Sequence, residues 1–205
     1  MGYAHLFVLI FGIHLMAVMS PGPDFVMVLR NALQYNRKTA VFTALGIGFG
    51  IAVHIFYSLA GIAYLLQKNA AVFQMIKIAG ALYITYMGVK TLKASPIQIN
   101  IETNNKPKLS PWQAFKVGFV TNVLNPKASL FFLSLFSMLI PPDLPWTVLL
   151  GISMMLISVT FLWFALVSVL FTHPKIVRYY EKYEPYILKT FGAILIFLGL
   201  AIFFE

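Results

Sequence analysis

Three prolines interrupt otherwise apolar stretches of this chain, and each interruption carries an ionisable side chain. The first reads Ser20-Pro21-Gly22-Pro23-Asp24, the second Asn125-Pro126-Lys127. Proline has no amide donor and clashes with the preceding turn, so each break frees carbonyls upstream and bares amides downstream. Bare amides suit a carboxylate, and freed carbonyls suit an ammonium. Gly22 lets the chain bend between two prolines and lets a ligand approach the backbone closely. Asp24 and Lys127 add one charge of each sign. A molecule carrying both a carboxylate and an ammonium, such as an amino acid, complements this set.

Asn122 and Asn125 are three residues apart and share a helix face with their amides. They extend the candidate binding set of Ser20, Pro21, Gly22, Pro23, Asp24, Pro126 and Lys127, or else they join helices by hydrogen bonds. Asp24 also fits a capping role at the start of the half-helix after Pro23, with Arg30 close by. Lys127 lies too deep to reach water by extending its stem, so it needs an acid or a carbonyl-lined cavity. The pair is expected to approach across the molecule, either directly or around a shared zwitterion. Asp24 and His54 are the candidates for moving protons. His54 continues a stripe begun by Gly46 and Gly50 at spacings of four, glycines whose expected role is close helix packing. His14 has no such supporting pattern.

Other chemistries find no support. The chain has no cysteine, its four histidines are scattered, and no acidic cluster accompanies them, so neither a metal nor another cofactor is expected. No glycine loop followed by Lys-Ser/Thr is present to hold nucleoside phosphates. Ser20 has no base positioned to activate it, which argues against an enzyme. The net charge of +9 comes from basic residues dispersed between apolar runs, not from one basic face, so nucleic acid is not an expected partner.

The elements that must position these residues are membrane helices. Sixty per cent of the 205 residues are hydrophobic, 10% are charged, and the mean hydropathy is +0.84. Soluble domains carry about 25% charged residues. Apolar segments run over residues 3–30, 39–66, 70–92, 112–140, 145–171 and 185–204, each long enough to span as a helix. Irregular backbone at that depth survives only inside protein or beside a wet cavity. The stretch 172–186, with Tyr179, Tyr180, Tyr183 and Tyr186, reads as an interfacial connection anchored by tyrosines. The first apolar run exceeds the ordinary signal length and lacks a basic flank, so no cleavage is expected.

Lysines and arginines gather after the first, third and fifth segments, which sets that side in the cytoplasm and both termini on the opposite side. Residues 94–111 form the polar linker, dividing a single transporter domain (1–205) into a repeat at 1–93 and a repeat at 112–205. Three helices per half invert the second relative to the first. Lys77-Ile-Ala-Gly80-Ala81 and Lys189-Thr-Phe-Gly192-Ala193 open the third and sixth segments alike, as duplication with inversion predicts. The expected fold is therefore all-α and integral to the membrane, with six helices in two inverted repeats and helices one and four broken at the prolines.

These motifs in this order, with the glycine-rich second segment ending at His54 and Gly118-Phe119 ahead of Asn122, resemble the LysE/RhtB family of amino-acid exporters. The resemblance runs nearly end to end. It implies a small multi-pass protein of the bacterial inner membrane, often a homodimer, that exports amino acids or close derivatives using an ion gradient. The function expected is secondary-active export, by antiport with protons, of small neutral amino acids of the homoserine or threonine kind. With only Asp24 as an acid in the pathway, a neutral cargo is favoured over a basic one. The alternative is a passive channel or release pore for small metabolites.

Overall fold

A computed structural model describes residues 2–68, 70–94, 109–141 and 143–203. It contains eight α-helices, and no strand occurs among the described residues: α1 Tyr3–Met19, α2 Pro23–Gln34, α3 Arg37–Lys68, α4 Ala70–Leu92, α5 Pro111–Val123, α6 Pro126–Leu139, α7 Trp146–Leu170 and α8 Pro174–Phe203. Stretches of α3, α7 and α8 are each long and apolar enough to cross a membrane. The pairs α1–α2 and α5–α6 qualify only when taken together, and they bend by 57° and 58° at their junctions. Most of the polar linker expected over 94–111 lies outside the described residues.

The local chemistry of each junction explains where it falls. After Met19 the backbone turns extended at Ser20, and Pro23 takes the first position of α2, where its missing amide costs nothing. Asn125 caps α6, accepting the Lys127 amide on its side chain at 3.0 Å, again with proline in the first turn. Ser110 and Gln113 form a reciprocal capping box at the start of α5.

The C-terminal part departs from expectation. The supposed connection at 172–186 is mostly helical: α8 starts at Pro174 and runs on with Pro185 inside it. A proline frees only the carbonyl one turn upstream, here that of the exposed Glu181, so a helix near the membrane surface tolerates it. Tyr179, Tyr183 and Tyr186 are exposed as anchors require, but Tyr180 turns inward, stacks on Phe25 and donates to the Glu184 carboxylate at 3.2 Å.

Glycines set the closest approaches. Gly46 of α3 lies against the Phe115 carbonyl of α5, and Gly118 of α5 against the Thr43 carbonyl of α3. Gly88 of α4 and Gly192 of α8 each face the other's carbonyl, and Gly199 lies against Thr85. A side chain at any of these points would force backbones apart, and in lipid such contact replaces hydrophobic burial as the force between helices. Two clusters fill the interior. One, with Ile10, Ile13, Phe132, Phe136 and Leu156, joins α1, α6 and α7; the other, with Phe25, Ile47, Phe164 and Val167, joins α2, α3 and α7. Both flank the two junctions.

Candidate functional site

The two junctions meet. The Asp24 carboxylate, in the first turn of α2, accepts through Oδ2 from Asn122 Nδ2 and Asn125 Nδ2, each at 2.9 Å. The three-residue spacing of the asparagines therefore aims both amides at one oxygen. The ammonium of Lys127 reaches the other way. It donates to the Ser20 carbonyl at 2.8 Å and the Pro21 carbonyl at 3.4 Å, the groups released by the first break. No ion pair joins Asp24 to Lys127. Asn125 links them instead, giving its amide hydrogens to Asp24 and its oxygen to the Lys127 backbone.

This arrangement revises the expected use of the bare groups. Carbonyls anticipated for a ligand ammonium hold the protein's own lysine, and the Lys127 amide anticipated for a carboxylate is capped by Asn125. Gly22 fits the same picture: a Cβ there would stand 3.3 Å from Lys127 Cδ, so the lysine stem lies across the bend. The Ser20 hydroxyl pairs with that of Thr91 at 2.8 Å, tying the junction to α4.

A small cavity of ≈ 40 Å³ lies at the junctions, bordered by Ser20, Gly22, Asp24, Asn122, Asn125 and Lys127, with His14, Thr160, Phe131 and Phe132 also in its wall. A second, of ≈ 400 Å³, shares Ser20, Gly22, Asn125 and Lys127 and also takes in Pro21, Pro23 and Pro126; it extends past Tyr83 and Thr91 to the exposed Tyr86, Lys90 and Ala94. Lys127 stands at the boundary of the two.

Of the remaining expected residues, His54 is buried but forms no part of either wall. Its Nε2 donates to the Asn122 carbonyl at 2.9 Å and its Nδ1 faces the Tyr57 hydroxyl at 2.6 Å, so it stands behind the asparagine that holds Asp24. Gly50 lies against that same asparagine; a Cβ there would be 2.5 Å from Asn122 Oδ1. His14, which no sequence pattern marked, is buried on the cavity wall with Nε2 3.1 Å from the Leu156 carbonyl and 2.9 Å from the Thr160 hydroxyl. Its partners are more than 140 residues distant, so no local spacing reveals it. The one available signal was a polar ring in an otherwise apolar helix.

A family model described as LysE type translocator matches residues 15–205. The chain belongs to this family. The translocator is 31% identical over 198 residues to the threonine efflux protein of Escherichia coli strain K12, covering 95% of this chain and 96% of that one. The threonine efflux protein of Salmonella typhi matches at the same identity and coverage. An uncharacterized membrane protein of Haemophilus influenzae is 28% identical over 91% of this chain and 90% of its own. No solved structure matches. With its apolar helices, the translocator is a multi-pass protein of a bacterial membrane, and its family consists of transporters rather than enzymes.

Proposed function

We propose that this chain is a secondary-active exporter of small neutral amino acids, working by alternating access at the meeting point of α1–α2 and α5–α6. The observation that carries the reading is the reciprocal clasp of the two junctions, each holding the other's charged side chain around shared cavities. A substrate carboxylate is drawn to Lys127 from the larger cavity, and its ammonium to Asp24. When it binds, Lys127 exchanges the Ser20 and Pro21 carbonyls for that carboxylate, and loosening this clasp lets one half rock against the other. The relatives named for threonine efflux support an amino-acid cargo.

In this reading α4, about 34 Å long at 1.5 Å per residue, is the sixth crossing. The halves are inverted repeats. Packing of like on like supports that: α3 contacts α7, and α4 contacts α8. Around Gly88 and Gly192 the α4–α8 crossing is antiparallel, as a two-fold axis in the membrane plane requires. Both termini lie outside the cytoplasm of the inner membrane. Because the chain has no cysteine, single cysteines report the orientation: Lys38→Cys should react with an impermeant maleimide only in everted vesicles and Trp146→Cys only in right-side-out ones. The reverse pattern would invert the topology.

Protons moving inward drive the export by antiport, with Asp24 as carrier and His54 behind it as relay. Each proton carries about 2.3 kcal/mol per 100 mV. A potential of ~150 mV thus supports about a few hundredfold gradient. Everted vesicles should lose proton-driven threonine uptake by tenfold or more with either Asp24→Asn or Lys127→Ala. Full uptake by both variants would remove these residues from the mechanism. The constricted junction, with a cavity of only ≈ 40 Å³, favours a carrier over a passive pore, and counterflow of labelled substrate, which only a carrier produces, separates the two.

A further inference from the structure

Two buried polar atoms at the small cavity meet no hydrogen-bond partner within the protein: Asp24 Oδ1 and His14 Nδ1. Their chemistry is uniform. The first is a carboxylate oxygen that only accepts. The second follows from the other edge of the His14 ring. The Leu156 carbonyl also only accepts, so the proton of a singly protonated ring sits on Nε2 and donates to it, leaving Nδ1 as a lone pair. Unpaired polar atoms in such a site each cost on the order of 1–3 kcal/mol, so two acceptors on one cavity call for a ligand that brings donors.

We propose that His14 reads a hydroxyl on the substrate side chain. The inference rests on the exporter reading above and adds to it a subsite and a residue. Asp24 Oδ1 takes a hydrogen of the substrate ammonium, and His14 Nδ1 takes the hydroxyl hydrogen. Around His14 the wall is apolar: Phe131 and Phe132 stand with ring centres 5.9 and 5.6 Å from the imidazole. An aliphatic stem packs there, while a charged side chain finds no counter-ion. Size sets a second limit. A space of ≈ 40 Å³ leaves room for a short side chain and not for a long one. The ligand class is an α-amino acid with a short hydroxylated side chain. Its apolar isostere is rejected because it leaves Nδ1 buried without a donor.

Threonine and valine are isosteric, so their ratio isolates the hydroxyl. Initial uptake of each labelled amino acid into everted vesicles gives kcat/KM for the wild-type protein and for two variants. His14→Phe keeps a ring and removes the acceptor; His14→Asn returns an amide oxygen near the position of Nδ1. The wild-type protein is expected to prefer threonine by about tenfold or more. His14→Phe should bring that ratio close to one, and His14→Asn should recover a preference. A wild-type ratio near one overturns the proposal without reference to any variant. So does a His14→Phe protein in which both rates fall together with the ratio kept, since that is the mark of a merely structural histidine. Should His14→Phe fail to reach the membrane, the decision passes to His14→Asn, whose loss of preference would also overturn it. Wild-type vesicles that accumulate neither amino acid nor any other small neutral one would bring down the exporter reading itself, a separate failure.

Discussion

At the scale of single residues, the centre of the molecule is Asn122. Its side chain donates to Asp24, its carbonyl accepts from His54, and its Cβ and amide press against Gly50. One amide thus connects the acid of the first junction with the histidine behind the second. Gly50 is what leaves room for it. Adding a methyl group there would displace Asn122, and overpacking of this kind costs about 1–3 kcal/mol. Gly50→Ala is therefore expected to raise KM for threonine about tenfold in everted vesicles. Gly61→Ala, where a Cβ meets nothing within 4 Å, should leave KM unchanged. Equal effects of the two substitutions would show that helix propensity, not the space beside Asn122, governs these glycines.

Elements explain why the residues converge. A helix broken at a proline ends one half with carbonyls and begins the next with amides, and two such helices crossing can each supply what the other lacks. Here the second supplies the Lys127 ammonium to the carbonyls of the first, and the Asn122 and Asn125 amides to the carboxylate that begins its second half. The helix pairs bend by 57° and 58° beside the prolines that the sequence displays, since proline acts locally. Which partner satisfies each break was not legible in the sequence, because Lys127 and Ser20 are 107 residues apart. A clasp by the protein's own lysine therefore stood where a ligand ammonium had been expected. The stretch 172–186 misled because polar, tyrosine-rich composition reports the membrane surface but not whether the backbone there is helical. His14 was legible only as a polar ring in an apolar helix, since its partner Thr160 lies across the α1–α7 contact. The glycines of α4 and α8 carried a pattern that does act at element scale. Gly192→Leu would push its side chain into Leu92 and the Gly88 carbonyl. This variant is expected to lose most of its monodisperse peak on size-exclusion chromatography after detergent extraction. Retention of the wild-type profile would mean that the α4–α8 contact contributes little to holding the halves together.

For the molecule as a whole, the two junctions close upon each other. Lys127 occupies the backbone cradle of the first junction, the small cavity beyond it is nearly filled, and the larger one leads from the lysine to exposed residues at the end of α4. Transport in this account is an exchange of partners: substrate carboxylate for carbonyls at Lys127, substrate ammonium at the free oxygen of Asp24, then separation of the halves. In this account both charged groups of the cargo bind where the two junctions touch, so a substrate bound there must screen the bend at Gly22. The absence of native cysteines makes that directly measurable. Gly22→Cys, in everted vesicles, is alkylated by a small maleimide, with Lys38→Cys at the exposed start of α3 as the reference. Saturating threonine is expected to slow labelling of Gly22→Cys severalfold and to leave Lys38→Cys unaffected. Unchanged labelling at Gly22→Cys, in vesicles whose wild-type counterparts accumulate threonine, would place the substrate elsewhere and contradict the account.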